Sequence, residues 1–94
     1  MMSIQDIKEM LSRGESERVI QVVNELSGTG SLTGRSLAMA YYLRGNAYRQ
    51  QGKFGDAMNS YLQAIELDPD GPAVQAYRSA QMILDYYHHD YYNP

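Results

Sequence analysis

An all-α fold of five antiparallel helices joined by short turns is predicted by three features of the sequence. Apolar residues recur at helical spacing in five segments, glycine and proline clusters separate those segments, and no alternating apolar–polar run calls for a sheet. With 94 residues the chain has the length of one domain with a modest core, so 1–94 reads as a single unit. At 44% hydrophobic and 20% charged residues the composition is that of a folded chain rather than a disordered one.

The first helix opens at Ser3-Ile4-Gln5-Asp6, where the serine can cap the first turn and the aspartate can reach back to it. Ile4, Ile7 and Leu11 keep helical spacing, and Gly14 supplies a left-handed stop. Glu15 and Glu17 then sit at the positive end of a second helix carrying Val19, Ile20, Val22, Val23 and Leu26. Its β-branched content also suits a strand, but the chain offers no second strand to pair with it. A third helix is expected from about Thr33 to Gln51, with Leu37, Ala40, Tyr41, Ala47 and Tyr48 in phase and Gly52 as its stop. A fourth, carrying Ala57, Met58, Tyr61, Leu62, Ile65 and Leu67, must end before Pro69, which drives Asp68 out of the helical region. A fifth starts around Pro72, whose missing N–H costs nothing in a first turn, and carries Ala73, Ala76, Tyr77, Ala80, Ile83, Leu84 and Tyr87.

Composition narrows the function. Cysteine is absent, which removes disulfides, Cys-ligated metal and thiol nucleophiles. Eight basic against eleven acidic residues give a net charge of −3, and no basic run exists to neutralise nucleic-acid phosphates or an anionic membrane. No stretch approaches the roughly 20 apolar residues of a membrane span, and Met1-Met2-Ser3-Ile4-Gln5-Asp6 has neither the basic region nor the apolar run of a secretory leader. A cytoplasmic location is expected. Nothing matches a phosphate-cradling glycine loop or a nucleophile elbow, and Gly28, Gly30 and Gly34 follow a helix rather than a strand, so neither an enzyme nor a bound cofactor is expected.

The segments also repeat. Gly14 is followed by Val19 and Leu26 at the offsets at which Gly52 is followed by Ala57 and Ala64. Residues 38–71 carry Tyr41, Arg44, Gly45, Tyr48, Gly52, Phe54, Ala57, Tyr61, Ala64 and Pro69. This pattern resembles the tetratricopeptide repeat family, a helix–turn–helix of about 34 residues with the signature Trp-x2-Leu-Gly-x2-Tyr, then Ala-x3-Phe, then Pro. Tyr41 replaces the tryptophan, and Arg44 stands where leucine is usual, its stem expected to pack and its head to reach water. Gly45 and Ala57 are small enough for a close helix crossing, with Tyr48, Phe54 and Tyr61 filling the space around it. In the same frame Ile7, Ser16 and Val19 stand where Gly45, Phe54 and Ala57 do, which marks 3–27 as a degenerate first repeat. Gly14 and Gly52 are 38 residues apart, more than the family period, and the excess is assigned to a Gly/Ser-rich linker with the start of the next helix at 28–36. The resemblance implies a short α-solenoid of two repeats, the second at 37–71, closed by a capping helix at 72–90 with a tail at 91–94.

In that family the second stripe of such a third helix faces a concave groove that receives partner peptides or helices. Here the stripe is Met39, Tyr42, Leu43, Asn46, Arg49 and Gln50, apolar at one end and suited to a carboxylate or peptide backbone at the other. The same residues equally describe a solvated helix face. Lys8 and Gln5 hold the matching places in the first repeat, too few groups for the family's carboxylate-clamp recognition of chaperone tails. In the repeat frame the fifth helix would turn its apolar stripe, Tyr77 included, toward the groove. Either it rotates to bury the stripe on the third and fourth helices, or the stripe awaits another chain. Protein or peptide binding is therefore the expected function. The alternative is homodimerisation through Ile83, Leu84, Tyr87, Tyr91 and Tyr92. The adjacent His88 and His89 point about 100° apart on a helix, against the three- or four-residue spacing of a two-histidine metal site, so no metal is expected.

Overall fold

The computed structural model describes the backbone of residues 2–92 and the side chains of residues 2–86. Within them lie α1 (Ile4–Ser12), α2 (Ser16–Thr29), α3 (Gly34–Gln50), α4 (Phe54–Leu67) and α5 (Ala73–Tyr92), with no strand among the described residues. The fold is all-α, as predicted.

Each end of these helices has a local cause. At the start of α1 the Ser3 backbone N–H donates to Asp6 Oδ2 at 2.9 Å, and the Asp6 N–H donates back to Ser3 Oγ at 3.2 Å, closing the capping box. These bonds, the backbone one foremost, hold the Asp6 carboxyl below its ordinary value of 3.8. A depressed folded-state value means that the stabilisation is present above 3.8 and lost as pH falls through the folded value. Protection of the α1 amides from hydrogen exchange should therefore weaken as pH falls below 3.8, and Ser3→Ala should remove that step. Identical α1 behaviour in the two proteins across this range would refute it.

The two glycine stops share one geometry. Gly14 and Gly52 have φ of 77° and 75°, in the left-handed region that a side chain disfavours. Beyond them Glu15 N–H donates to Met10 O at 3.0 Å and Lys53 N–H to Tyr48 O at 2.9 Å, the six-to-one bond of a Schellman ending. The same local device thus ends the first helix of both hairpins. Within 28–36, α2 continues until Gly30 turns left-handed at φ 73°, and α3 starts at Gly34. The closing helix likewise runs from Ala73 to Tyr92, past residue 90 and into the segment expected to be a tail.

α3 is the centre of the packing, meeting α4 most extensively and also α1 and α2, while α5 lies on α4. Two cores result. Ile7, Met10, Val19, Ile20 and Val23 of α1 and α2 bury Ala40, Leu43 and Ala47 of α3. Ala57, Tyr61 and Ala64 of α4 pack with Ala38 of α3 and with Ala73 and Ala80 of α5. Tyr41, Tyr42 and Tyr48 touch both cores. Of the two positions open to α5, the chain takes the rotated one: Ala73 and Ala80 are buried, with Ala76 and Tyr77 packed beside them.

Arg44 departs from expectation. Its head does not simply reach water: Nε donates to Ser60 Oγ at 3.0 Å, Nη1 to Asn24 Oδ1 at 2.8 Å and Nη2 to Gln63 Oε1, while the guanidinium lies 4.8 Å from the centre of the Tyr41 ring. One side chain ties α2, α3 and α4 together where the family's leucine could only pack.

Candidate partner-binding groove

α3 and α5 flank α4, whose Tyr61 and Ala64 lie in the core between them. Toward the N-terminal end of α3, Ala38, Met39 and Tyr42 line a small pocket of about 20 Å³ with Arg35, Ala64, Asp68, Pro72 and Ala73. Further along, the buried Tyr61 donates its hydroxyl to Asn46 Oδ1 at 2.5 Å, with its ring centre 5.9 Å from that of Tyr42. Burial pushes the Tyr61 phenol above its ordinary value, an effect that its hydrogen bond with Arg49 partly offsets. Arg49 Nη2 in turn reaches Ser79 Oγ on α5 at 3.4 Å. Met39, Tyr42, Asn46 and Arg49 therefore lie along one face of α3, apolar where the pocket is and polar where the phenol, amide and guanidinium meet. This face offers the half-buried surfaces of Met39 and Tyr42 at one end and can hydrogen-bond a carbonyl or carboxylate at the other.

Three residues assigned to this face lie elsewhere. Leu43 is only 4% exposed, because α1 and α2 cover that side of α3, so it belongs to the core. Gln50, on the same side, donates from Nε2 to Leu11 O at 3.1 Å and satisfies a carbonyl near the end of α1. Tyr77 lines a separate cleft with Leu84 of α5 and Met58, Asn59 and Leu62 of α4, because it sits on the edge of α5 opposite Ser79. Of the self-association residues, Ile83 and Leu84 are half-buried, and the side chains of Tyr87, Tyr91 and Tyr92 lie outside the described residues, as do those of His88 and His89. The most exposed large apolar side chains described on α5 are Met82 and Tyr86, one turn apart.

The sequence reading missed Arg35, which joins Met39 and Tyr42 at the pocket, and Ser79, which meets Arg49. Arg35, Tyr42 and Arg49 recur every seventh residue, a spacing that keeps them on one helix face and was legible in the sequence. Ser79 gave no such signal, since its place depends on the rotation of α5. Among the described residues no group of three or more His, Asp and Glu converges in a way that could hold a metal ion. No helix among them is long and apolar enough to cross a membrane.

Two glycine-stopped helical hairpins stacked about α3 and closed by α5 define a helical-repeat protein. A family model of the tetratricopeptide repeat matches residues 38–70. Bacteroides fragilis protein BF1650, known from a solution NMR structure, is 41% identical, with a TM-score of 0.83 over 99% of this chain and 91% of that one. The chain belongs to the tetratricopeptide repeat family. No curated protein matches it.

Proposed function

We propose that the protein is a noncatalytic binding module that receives a peptide or an extended segment of a partner protein along the α3 face formed by Met39, Tyr42, Asn46 and Arg49. The observation that carries this reading is the run of contacts along one side of α3, from Tyr42 against Tyr61, through the Tyr61–Asn46 hydrogen bond, to Arg49 and Ser79. Membership of a repeat family that commonly serves protein–protein interaction supports the class. A scaffolding role in the cytoplasm belongs to the same proposal.

Arg49→Ala is the cleaner test, because Asn46→Ala would also leave the buried Tyr61 hydroxyl without its acceptor, at a cost of about 1–3 kcal/mol. Arg49→Ala should weaken capture of a partner peptide roughly tenfold while leaving the far-UV circular dichroism spectrum unchanged. Titration calorimetry with peptides selected on the intact protein reads the affinity, and an unchanged value would count against the groove.

A second reading is self-association through α5. Met82 and Tyr86 favour it, at 71% and 64% exposed on the outer side of the last helix. Sedimentation velocity over a wide concentration range, with Met82→Gln/Tyr86→Gln as control, separates the readings: a dimer lost in the control supports self-association, and a monomer throughout removes it.

A further inference from the structure

α5 outruns the helices it packs against. Arg49, one residue before the end of α3 at Gln50, reaches Ser79, and Leu84 lines a cleft with Lys53 and Gly55 at the start of α4. Past Ser79 the helix leaves α3, and past Leu84 it leaves α4. Residues 85–92 therefore carry α5 about 12 Å beyond both, at 1.5 Å rise per residue. The spacing that packs α5 on α4 does not stop there. Ala73 and Ala80 are buried in the core shared with α4, and Tyr77 and Leu84 line the cleft with Met58 and Leu62. Seven residues further on in these two series stand Tyr87 and Tyr91. A seven-residue repeat keeps one stripe of a helix turned toward its neighbour, so the stripe that α4 covers continues where α4 has ended.

The direction of packing indicates what covers it. α5 runs antiparallel to α4, with Ala73 beside Ala64 near the end of α4 and Leu84 at its start. A second copy, related by a two-fold axis through the middle of residues 85–92, presents its own α5 antiparallel to the first. That is the orientation α4 already has, and each copy then covers the projecting turns of the other. The α5 of the second copy ends beside the start of α4, where charge is complementary. A helix C-terminus carries partial negative charge, and it meets the positive end of α4. The N-cap there is Lys53, which supplies no side-chain cap and forms no ion pair among the described residues.

We infer that the protein forms a two-fold dimer in which residues 85–92 of each α5 cross antiparallel, each segment following on from the track of the other copy's α4. This deepens the reading of self-association through α5 and rests on it. The contact moves from the outer side of the helix, at Met82 and Tyr86, to the stripe that continues from Ala80 and Leu84.

The test uses the full chain. In sedimentation velocity, Tyr87→Gln/Tyr91→Gln should raise the dimer dissociation constant about tenfold or more, while Met82→Gln/Tyr86→Gln changes it less than about twofold. Lys53→Glu should weaken the dimer roughly two- to fivefold without lowering the melting temperature of the monomer, because an acidic residue suits the α4 N-terminus of an isolated chain. As the chain has no cysteine, Gln75→Cys accepts a single nitroxide label. With the axis between residues 88 and 89, the two labels of a dimer stand about 40 Å apart along α5, against about 27 Å for a dimer centred between Met82 and Tyr86. Double electron–electron resonance reads this separation, and the longer one is expected. A dimer that survives Tyr87→Gln/Tyr91→Gln, is lost in Met82→Gln/Tyr86→Gln and shows the shorter distance would overturn the crossing and leave self-association through the outer side standing. A monomer at every concentration would overturn both and leave the stripe to a different chain.

Discussion

Gly45→Ala is expected to destabilise the protein although alanine is the better helix former. A β-carbon at Gly45 would lie 2.6 Å from Cδ1 of Tyr61, closer still to Cε1 and 3.0 Å from Cζ, none of which is an ordinary van der Waals distance. The ring has nowhere to go. Tyr61 is fully buried, its hydroxyl is held by Asn46 at 2.5 Å, and its face meets Tyr42. Replacing glycine by alanine in a helix interior gains up to about 1 kcal/mol, while overpacking a close crossing costs about 1–3 kcal/mol and sometimes more. The clash wins, since α3 and α4 would have to move apart along the most extensive helix contact in the molecule. A net loss of about 2 kcal/mol would lower the melting temperature by about 4–8 °C per kcal/mol in a domain of this size. Thermal unfolding of Gly45→Ala, Tyr61→Leu and the pair together measures the coupling. In the double variant the glycine substitution should cost much less, because the ring it strikes is gone. A single variant as stable as the parent would mean that α3 and α4 do not cross so closely.

Arg44→Ala is expected to have the second large effect. The substitution removes three charge-assisted hydrogen bonds to Asn24, Ser60 and Gln63 and the stacking on Tyr41. It also leaves the Ser60 hydroxyl, only 1% exposed, without the guanidinium. A loss of about 2–3 kcal/mol follows from hydrogen bonds to a charged group and the lost packing of the arginine stem. Arg44→Leu restores the residue usual in the family but should still cost stability, because Ser60 remains polar. Arg44→Leu with Ser60→Ala should come within about 1 kcal/mol of the parent, since removing both partners of a buried hydrogen bond is far less costly than removing one. Urea unfolding with an unchanged slope reads these differences as shifts in midpoint. A double variant as unstable as Arg44→Ala would assign the effect to the bridge to Asn24 and Gln63 instead.

Both predictions concern α3, where the sequence was most and least legible. The Gly45 spacing to Tyr48, Ala57 and Tyr61 indicated a close crossing before any coordinates, because a residue without a side chain amid bulky periodic neighbours has few other uses. The partners of Arg44 were invisible: Asn24 and Gln63 are exposed positions in different helices, and no local pattern links them. The groove divides in the same way. Met39, Tyr42, Asn46 and Arg49 follow from helical phase, whereas the loss of Leu43 and Gln50 to the α1 side depends on where the first hairpin leans. Tyr77 was misplaced because the repeat frame does not fix how a closing helix rotates.

The sequence by itself determined the five helices, the two glycine stops, the capping box and the repeat at 38–70, since each depends on residues within a few positions of one another. Only the tertiary structure decided which side of α3 the first hairpin covers, how α5 turns its alanines inward, and that Arg49 meets Ser79 across to α5. Local periodicity fixes which residues share a helix face. What that face meets is set by packing between segments distant in the chain, where small side chains permit several rotations and the burial of the whole core selects one.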